Sequence, residues 1–372
     1  MPRFSRRSFL QFSAAASAVA AFPVFTEAML AQSARPRREA PPPGAVVIDS
    51  NENPLGPSKS ACDAMSAILP RGGRYAMNLT DDLISTFAQM EGLKPDSIRA
   101  TVGSTPALSL AVLAFTSQQK SYVTADPTFE IGMMMADRNA ARVVKIPLTK
   151  TYAHDVRAML AAAPDAGVFY VCNPNNPTGT LTPLSDIEYL VANKPKDSVV
   201  LVDEAYIHFT EKAQRALEFV KAGKDVVVLR TFSKVYGMAG LRCGLVIARP
   251  DLLSKILERG GFNFNPVTAM VAATASLKDP QLVGERRRIN TSVRQQTFDW
   301  LDQNGFTYIP SEANCFMIDT KRPGRQVQEA MAKDNVFIGR SWPVMPTWVR
   351  ITVGTQEEME RFQTTYQKVM KA

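Results

Sequence analysis

Three stretches constrain the fold more than anything else in the chain: GVFYVCNP at 167–174, SVVLVDEA at 198–205 and DVVVLRTF at 225–232. Each is a short run rich in valine and aromatic residues, bounded by polar or turn-forming residues, and that composition favours a strand. Each is apolar at both odd and even positions, so both faces of the strand need cover. Similar runs occur at 121–126 (SYVTAD), 141–148 (ARVVKIPL) and 243–248 (CGLVIA). Helical patterns such as PLSDIEYLVANK (183–194) lie between them. The alternation predicts an α/β body, a mostly parallel mixed sheet flanked by helices. From about Pro266 the pattern changes. Longer helical stretches at 267–277 and 285–304 precede two short strands, NCFMIDT (314–320) and WVRITVG (348–354). This reads as a second, smaller α+β unit. The division expected is a large domain at 71–265 and a small one formed by 45–70 with 266–372.

The first 44 residues are of another kind. SRRSFLQ (5–11) precedes FSAAASAVAAFPVF, and ARPRREAPPPG (34–44) follows as a charged, proline-rich linker. A positive start followed by a mild apolar stretch is an export-signal pattern, and the paired Arg6 and Arg7 before Ser-Phe-Leu resemble the twin-arginine type. Residues 1–34 are therefore expected to be a signal, 35–44 a linker, and the mature protein periplasmic or secreted. If 1–34 is an ordinary tail, the protein is cytoplasmic. The apolar stretch is too short and interrupted for a membrane span, so no stable membrane anchor is expected.

The 372-residue chain has a formal charge of +8, with Lys and Arg dispersed along it. The one tight cluster, Arg286 to Arg288, is expected to be a solvated helix face. No basic stripe suggests nucleic acid. Four cysteines at 62, 172, 243 and 315 have no metal spacing and are expected as free or buried thiols. With only two histidines, His154 and His208, no metal site is expected.

In open α/β sheets, ligands bind beyond the carboxyl ends of the strands. Three strand ends carry polar groups in order: VCNPNNPTG, LVDEAY and LRTFSK. Asn176, Asp203 and Lys234 are thus placed to converge. Singly, each has an ordinary reading: a turn, a helix cap, a surface lysine. Together they suit one chemistry. A lysine amine can join an aldehyde as a Schiff base. A carboxylate opposite a pyridine nitrogen keeps it protonated. An amide and a phenol, Asn176 and Tyr206, can bind the ring's phenolic oxygen. Thr231, Ser233 and Arg242 suit a phosphate, and Gly237 and Gly240 allow close approach. Earlier, ATVGSTPALSLAVLAF (100–115) reads as strand end, turn and helix start, and Ser104 and Thr105 at a helix N-terminus would face an anion.

The motifs NENPLGP (51–57), GRY (73–75), GST (103–105), DPTFE (126–130), NPNNPTG (173–179), DEAYIHF (203–209), TFSKVYGMAGLRCG (231–244) and WVRITVG (348–354) resemble those of pyridoxal-phosphate aminotransferases of fold type I. Among these the chain is most similar to the histidinol-phosphate aminotransferase branch. The resemblance implies pyridoxal 5′-phosphate as cofactor, a small-molecule amino donor and a 2-oxo acid acceptor. It implies Lys234 as the Schiff-base lysine, Asp203 as partner of the ring nitrogen, and Asn176 and Tyr206 at the phenolic oxygen. Ser104, Thr105, Thr231, Ser233 and Arg242 fall on the phosphate cup, and Phe129 on the position that stacks on the ring. Tyr75 matches a tyrosine that reaches the neighbouring subunit's cofactor phosphate, which implies a homodimer. Arg350 matches the arginine that grips an acid group of the substrate and Asn314 a substrate-side asparagine, while Arg340 is either a second anion-binding group or a surface arginine. A decarboxylase or lyase on the same scaffold is the alternative activity, and a non-catalytic ligand-binding module the alternative class. The segment GRSWPVMPTWVR (339–350) departs from the branch, and Trp342 and Trp348 either wall the pocket or pack in the small unit.

Overall fold

The computed structural model describes residues 40–212, 215–260 and 264–371. The expected signal at 1–34, and the linker up to residue 39, lie outside the described residues. The six predicted runs form β3 (Ser121–Asp126), β4 (Val143–Pro147), β5 (Ala166–Cys172), β6 (Val199–Asp203), β7 (Val226–Thr231) and β8 (Gly244–Ile247), and with β2 (Ile98–Thr101), whose end alone is read from the sequence, they make a seven-stranded sheet. Their spatial order is β2-β8-β7-β6-β5-β3-β4. The β3–β4, β3–β5, β5–β6 and β6–β7 pairs are parallel, whereas β8 runs antiparallel to both β2 and β7. The architecture is the α/β body expected from the sequence, a mostly parallel mixed sheet flanked by helices.

Alternation along the strands decides which face each side chain serves. Val200, Val202, Val226 and Val228 belong to one core, with Phe169 and Val171. Val199, Leu201, Val227 and Leu229 belong to the core on the other face, with Val168, Tyr170 and Cys172. Helix Ser104–Phe115 covers this second face through Ala107, Leu108, Ala111 and Val112. Each fully buried valine or leucine stabilises the fold by about 1.5–3 kcal/mol. The expectation of two apolar faces fails at β4. It is an edge strand with no fully buried residue, since a neighbour covers only one of its sides.

A separate core surrounds the three-stranded antiparallel sheet β12-β10-β9, of Trp348–Thr352, Cys315–Asp319 and Thr307–Ile309. In the same core, β1 (Val46–Ile48) pairs in parallel with β11 (Val336–Ile338). The packing departs from the division expected at residues 70 and 266. Ala61 of helix Lys59–Ile68 and Ala269, Met270, Ala272 and Ala273 of helix Val267–Lys278 lie in the core of the large sheet, where the two helices pack on each other. Alanine-rich faces allow the close approach that brings these helices together.

Arg286 corrects the solvated-face reading. It is buried, and its Nη1 donates to the carbonyl of Gly56 at 2.8 Å. Arg287 pairs with Glu211 at 2.9 Å. Cys172, Cys243 and Cys315 are buried thiols and Cys62 is an exposed one. Trp342 is buried against Ile309 and Met317, and Trp348 packs at the edge of the same cluster, so both tryptophans pack in the small unit. Among the described residues no helix is long and apolar enough to cross a membrane.

Candidate active site

A cavity of about 300 Å³ opens at the carboxyl ends of β5, β6 and β7. Eleven residues singled out from the sequence line it: Ser104, Thr105, Phe129, Asn176, Asp203, Tyr206, Thr231, Ser233, Lys234, Gly240 and Arg242. The strand register explains this convergence. Cys172 is level with Asp203, and Asp203 with Leu229. Asp203 and Thr231 share parity with Leu201 and Leu229, so both project on the face covered by helix Ser104–Phe115. The next residue, Glu204, has the opposite parity. It is used up inside the protein, accepting from Arg230 Nε at 2.7 Å and from the Ala216 amide at 2.6 Å.

Asp203 is buried, with 4% exposure. Its Oδ2 accepts from the Tyr170 hydroxyl at 3.0 Å and its Oδ1 from the Ala205 amide at 3.1 Å. Burial first, and then the Asp203 charge, push the Tyr170 hydroxyl well above its ordinary pKa, so it remains a donor. The same two causes raise Cys172, which lines the cavity as a thiol. Lys234 is 7% exposed. Its Nζ lies 3.4 Å from the carbonyl of Ser50 and 5.4 Å from the centre of the Tyr206 ring. A buried charge costs several kcal/mol unless partners repay it. Asp203 and Lys234 bring two such charges into one cavity.

The phosphate-type residues form one hydrogen-bonded group. Thr231 Oγ1 donates to Ser233 Oγ at 2.9 Å, and Arg242 Nη1 lies 3.3 Å from the same oxygen. Arg242 Nη1 also donates to the carbonyl of Ala239 at 2.7 Å. Gly103 sits at the head of helix Ser104–Phe115 with φ +93, and a Cβ there would come within 2.2 Å of Arg242 Nη2. The glycine lets the guanidinium lie against the helix N-terminus, where backbone N–H groups favour an anion. Gly237 plays another part than expected. Its φ is +68 and a Cβ would meet the carbonyl oxygen of Gly56 at 1.9 Å, so its close approach is to the chain's own 51–57 segment.

Four predicted residues lie outside the cavity lining. Arg350 is buried beside it, donating from Nη1 to Asn176 Oδ1 at 2.8 Å and from Nη2 to the carbonyl of Asp49 at 2.7 Å. Asn314 is turned to the backbone of the 51–57 segment, donating to the carbonyls of Asn51 and Glu52 at 3.1 and 3.3 Å. Arg340 is ion-paired with Glu130. Tyr75 is 79% exposed, with its ring 5.3 Å from that of Phe264. The sequence reading missed Ser50, Glu52 and Cys172 in the lining, and Asn51 behind it. Asn51 is fully buried at φ 54. Its Nδ2 donates to Tyr206 Oη at 3.0 Å, and its backbone N–H to Thr352 Oγ1 at 2.9 Å. NENPLGP stood out as a motif, but nothing local shows that it closes a cavity hundreds of residues away.

Residues 44–364 match the family described as aminotransferase class I and II. The chain belongs to that family. It is 33% identical over 333 residues to the histidinol-phosphate aminotransferase of Moorella thermoacetica, covering 88% of this chain and 86% of the relative. It is 34% identical over 321 residues to the aromatic amino acid aminotransferase of Cutibacterium acnes, covering 85% and 90%. Among solved structures, a putative histidinol-phosphate aminotransferase from Erwinia carotovora atroseptica is similar with a TM-score of 0.85 at 30% identity, covering 90% of this chain and 99% of that one. The histidinol-phosphate aminotransferase of Sinorhizobium meliloti, solved in complex with pyridoxal-5′-phosphate, is similar with a TM-score of 0.82 at 23% identity, covering 95% and 99%.

The aminotransferase is a pyridoxal-phosphate enzyme, and its cavity suits that cofactor. The volume accommodates a small planar ring with one phosphate arm. Hydroxyls, a guanidinium and a helix N-terminus meet at one end, and a buried carboxylate and a lysine lie within the same space. Among the described residues no cluster of histidine, cysteine, aspartate or glutamate is placed to hold a metal ion.

Proposed function

We propose that this aminotransferase moves an amino group from an amino acid or related amine to a 2-oxo acid, in the manner of the histidinol-phosphate branch. The observation that carries this reading is the meeting of Lys234, Asp203, Asn176, Tyr206 and Arg242 in one buried cavity. When bound, pyridoxal phosphate supplies an aldehyde that accepts the amino group and a ring that withdraws electrons from the substrate Cα. Lys234 takes the proton from that Cα and returns it. Asp203, fixed by Tyr170 and the Ala205 amide, holds a proton at the ring nitrogen. Asn176 and Tyr206 would hold the phenolic oxygen of the bound cofactor. Arg350 orients Asn176 and holds Asp49 by its carbonyl. Ser104, Thr105, Thr231, Ser233 and Arg242 would hold the phosphate and Phe129 would lie against the ring. Arg350 also grips an acid group of the substrate, and Asn314 shapes the substrate side by holding Asn51 and Glu52.

The same proposal includes a homodimer. Tyr75 and Phe264 form an exposed aromatic pair, and Asn265 ties that segment to the end of β2 by a 2.7 Å bond to the carbonyl of Thr101. We assign Tyr75 to the partner subunit's cofactor phosphate, and light scattering should give twice the monomer mass. Export rests on Arg6 and Arg7 in the sequence. A reporter carrying residues 1–34 should reach the periplasm, and changing both arginines to lysine should retain it inside.

The central test is a half-reaction screen. The cofactor-loaded enzyme is mixed with single amines and amino acids, and conversion of the aldehyde form to the amine form is followed by absorbance. A 2-oxo acid should then restore the aldehyde form. Loss of carbon dioxide without any need for a 2-oxo acid would replace transamination by decarboxylation.

A further inference from the structure

One ion pair beside the cavity is not used by the cofactor chemistry. Glu130 follows Phe129, whose ring lines the cavity, and immediately precedes helix Ile131–Arg138. Its carboxylate pairs with Arg340, which comes from the segment between β11 and β12. The Arg340 guanidinium also lies 4.2 Å over the ring of Trp342, and the Arg350 guanidinium lies 5.7 Å from the same ring. The Arg350 amide donates to the carbonyl of Arg340 at 3.1 Å. Arg350 in turn reaches Asn176 in the cavity wall. Phe129, Glu130, Arg340, Trp342, Arg350 and Asn176 thus form a continuous line of contacts around one side of the cavity.

The two side chains of the pair are 29% and 25% exposed, so water screens it and it adds little to stability. Its effect is on charge. Arg340 lies outside the lining and is linked to it through Glu130, next to Phe129, and through Arg350; a guanidinium standing alone there would attract a substrate carrying a phosphate or a second carboxylate. With Glu130 on it, such a substrate meets a carboxylate first, and like charges in contact oppose binding. A substrate with an uncharged side chain meets no such opposition.

We infer that Glu130 is a specificity-determining residue: it occupies Arg340 and directs the enzyme toward amino donors with uncharged side chains. This deepens the transaminase reading above and rests on it for the substrate side of the cavity. It also reassigns Arg340, which the sequence suggested as a second anion-binding group. Specificity of this kind is built by an opposing element as much as by an attractive one.

The test compares wild type, Glu130→Gln and the double variant Glu130→Gln/Arg340→Gln, all loaded with cofactor. Half-reactions are measured with L-phenylalanine and O-phospho-L-serine, and binding of inorganic phosphate is measured by calorimetry. Wild type should favour phenylalanine. Glu130→Gln should shift the kcat/KM ratio toward phosphoserine, and tighten inorganic phosphate, by about tenfold or more each. The double variant should lose both gains, because freed Arg340 carries them. A wild-type preference for phosphoserine, or a Glu130→Gln ratio and phosphate affinity within about twofold of wild type, overturns the inference. If neither donor reacts with any variant, and the wider half-reaction screen finds no other donor, the transaminase reading is what fails. Calorimetry then decides on Glu130 by itself.

Discussion

The large sheet has a polar cleft at each end, and the two differ in kind. At the amino ends of β3, β6 and β7, a cleft of about 620 Å³ is lined by Lys120, Lys196, Asp225, Arg249, Lys255 and Arg259, among others. At the carboxyl ends lies the cavity of about 300 Å³. The larger cleft holds more charges, but they meet in open pairs. Arg249 pairs with Asp225 and Asp251 at 2.9 Å each, with all three side chains 32–55% exposed. Such pairs contribute about 0–1 kcal/mol. In the smaller cavity Asp203 and Lys234 are at most 7% exposed. Neither volume nor the number of charges marks the working end. Buried charge that meets the phosphate-type hydroxyls and Arg242 in one cavity marks it.

The largest expected effect that would break this contrast is at Lys234. Lys234→Ala should lower the half-reaction rate by at least about 10³-fold, within the range for a proton-transfer group. Borohydride reduction and peptide mapping of the loaded wild-type protein should place the pyridoxyl label on Lys234. A label at another lysine would move the working site elsewhere.

Acid should loosen the cavity end. His154 is buried against Asn175 Oδ1 at 3.3 Å, and Asn175 also binds Thr128 and Thr178, so this histidine clamps the loop that carries Asn176. Burial lowers its pKa to about 4. Its folded pKa lies below the unfolded value of about 6.5, so its contribution is complete above pH ~6.5 and lost as pH falls toward ~4. The loss amounts to up to about 3 kcal/mol. His208 adds to it, since burial and then the Arg230 charge lower its pKa as well. Urea midpoints between pH 7.5 and 5 should show this slope, reduced by about 1.4 kcal/mol per pH unit in His154→Gln. An unchanged slope would remove the clamp from the account.

Gly103→Ala should come next. Backbone strain at φ +93, together with the collision with Arg242, should weaken binding of pyridoxal phosphate by about ten- to a hundredfold, read by fluorescence titration of the cofactor-free protein. The smallest effect belongs to the opposite cleft. Replacing Lys196, Lys255 and Arg259 together by alanine should change the half-reaction by less than about twofold. A larger loss there would erase the distinction between the two ends.

Much of this site was legible in the sequence because its chemistry sits at strand ends. An apolar run fixes where a strand stops, and period-two alternation puts Asp203 and Glu204 on opposite faces. Two kinds of feature were not legible. One is the wall made by Ser50 and Glu52, which depends on contacts such as Asn51 to Thr352, across 301 residues. The other is pairing between side chains from separate segments, as in Glu130 with Arg340 from two loops or Tyr170 with Asp203 from neighbouring strands. Helices Lys59–Ile68 and Val267–Lys278 were assigned to the small unit for a related reason. Their small residues suit either core, and only the three-dimensional path shows that they pack on each other.

The pairing of β1 with β11 has a consequence for how the protein comes into being. Residues near 50 are made early on the ribosome, yet their partners at 336–338 and 352 are among the last to emerge. Until then the large sheet can be assembled while its pocket lacks a roof. Vitamin capture should therefore be a late event in biogenesis, and a nascent chain stalled before residue 336 should fold its sheet without retaining the coenzyme.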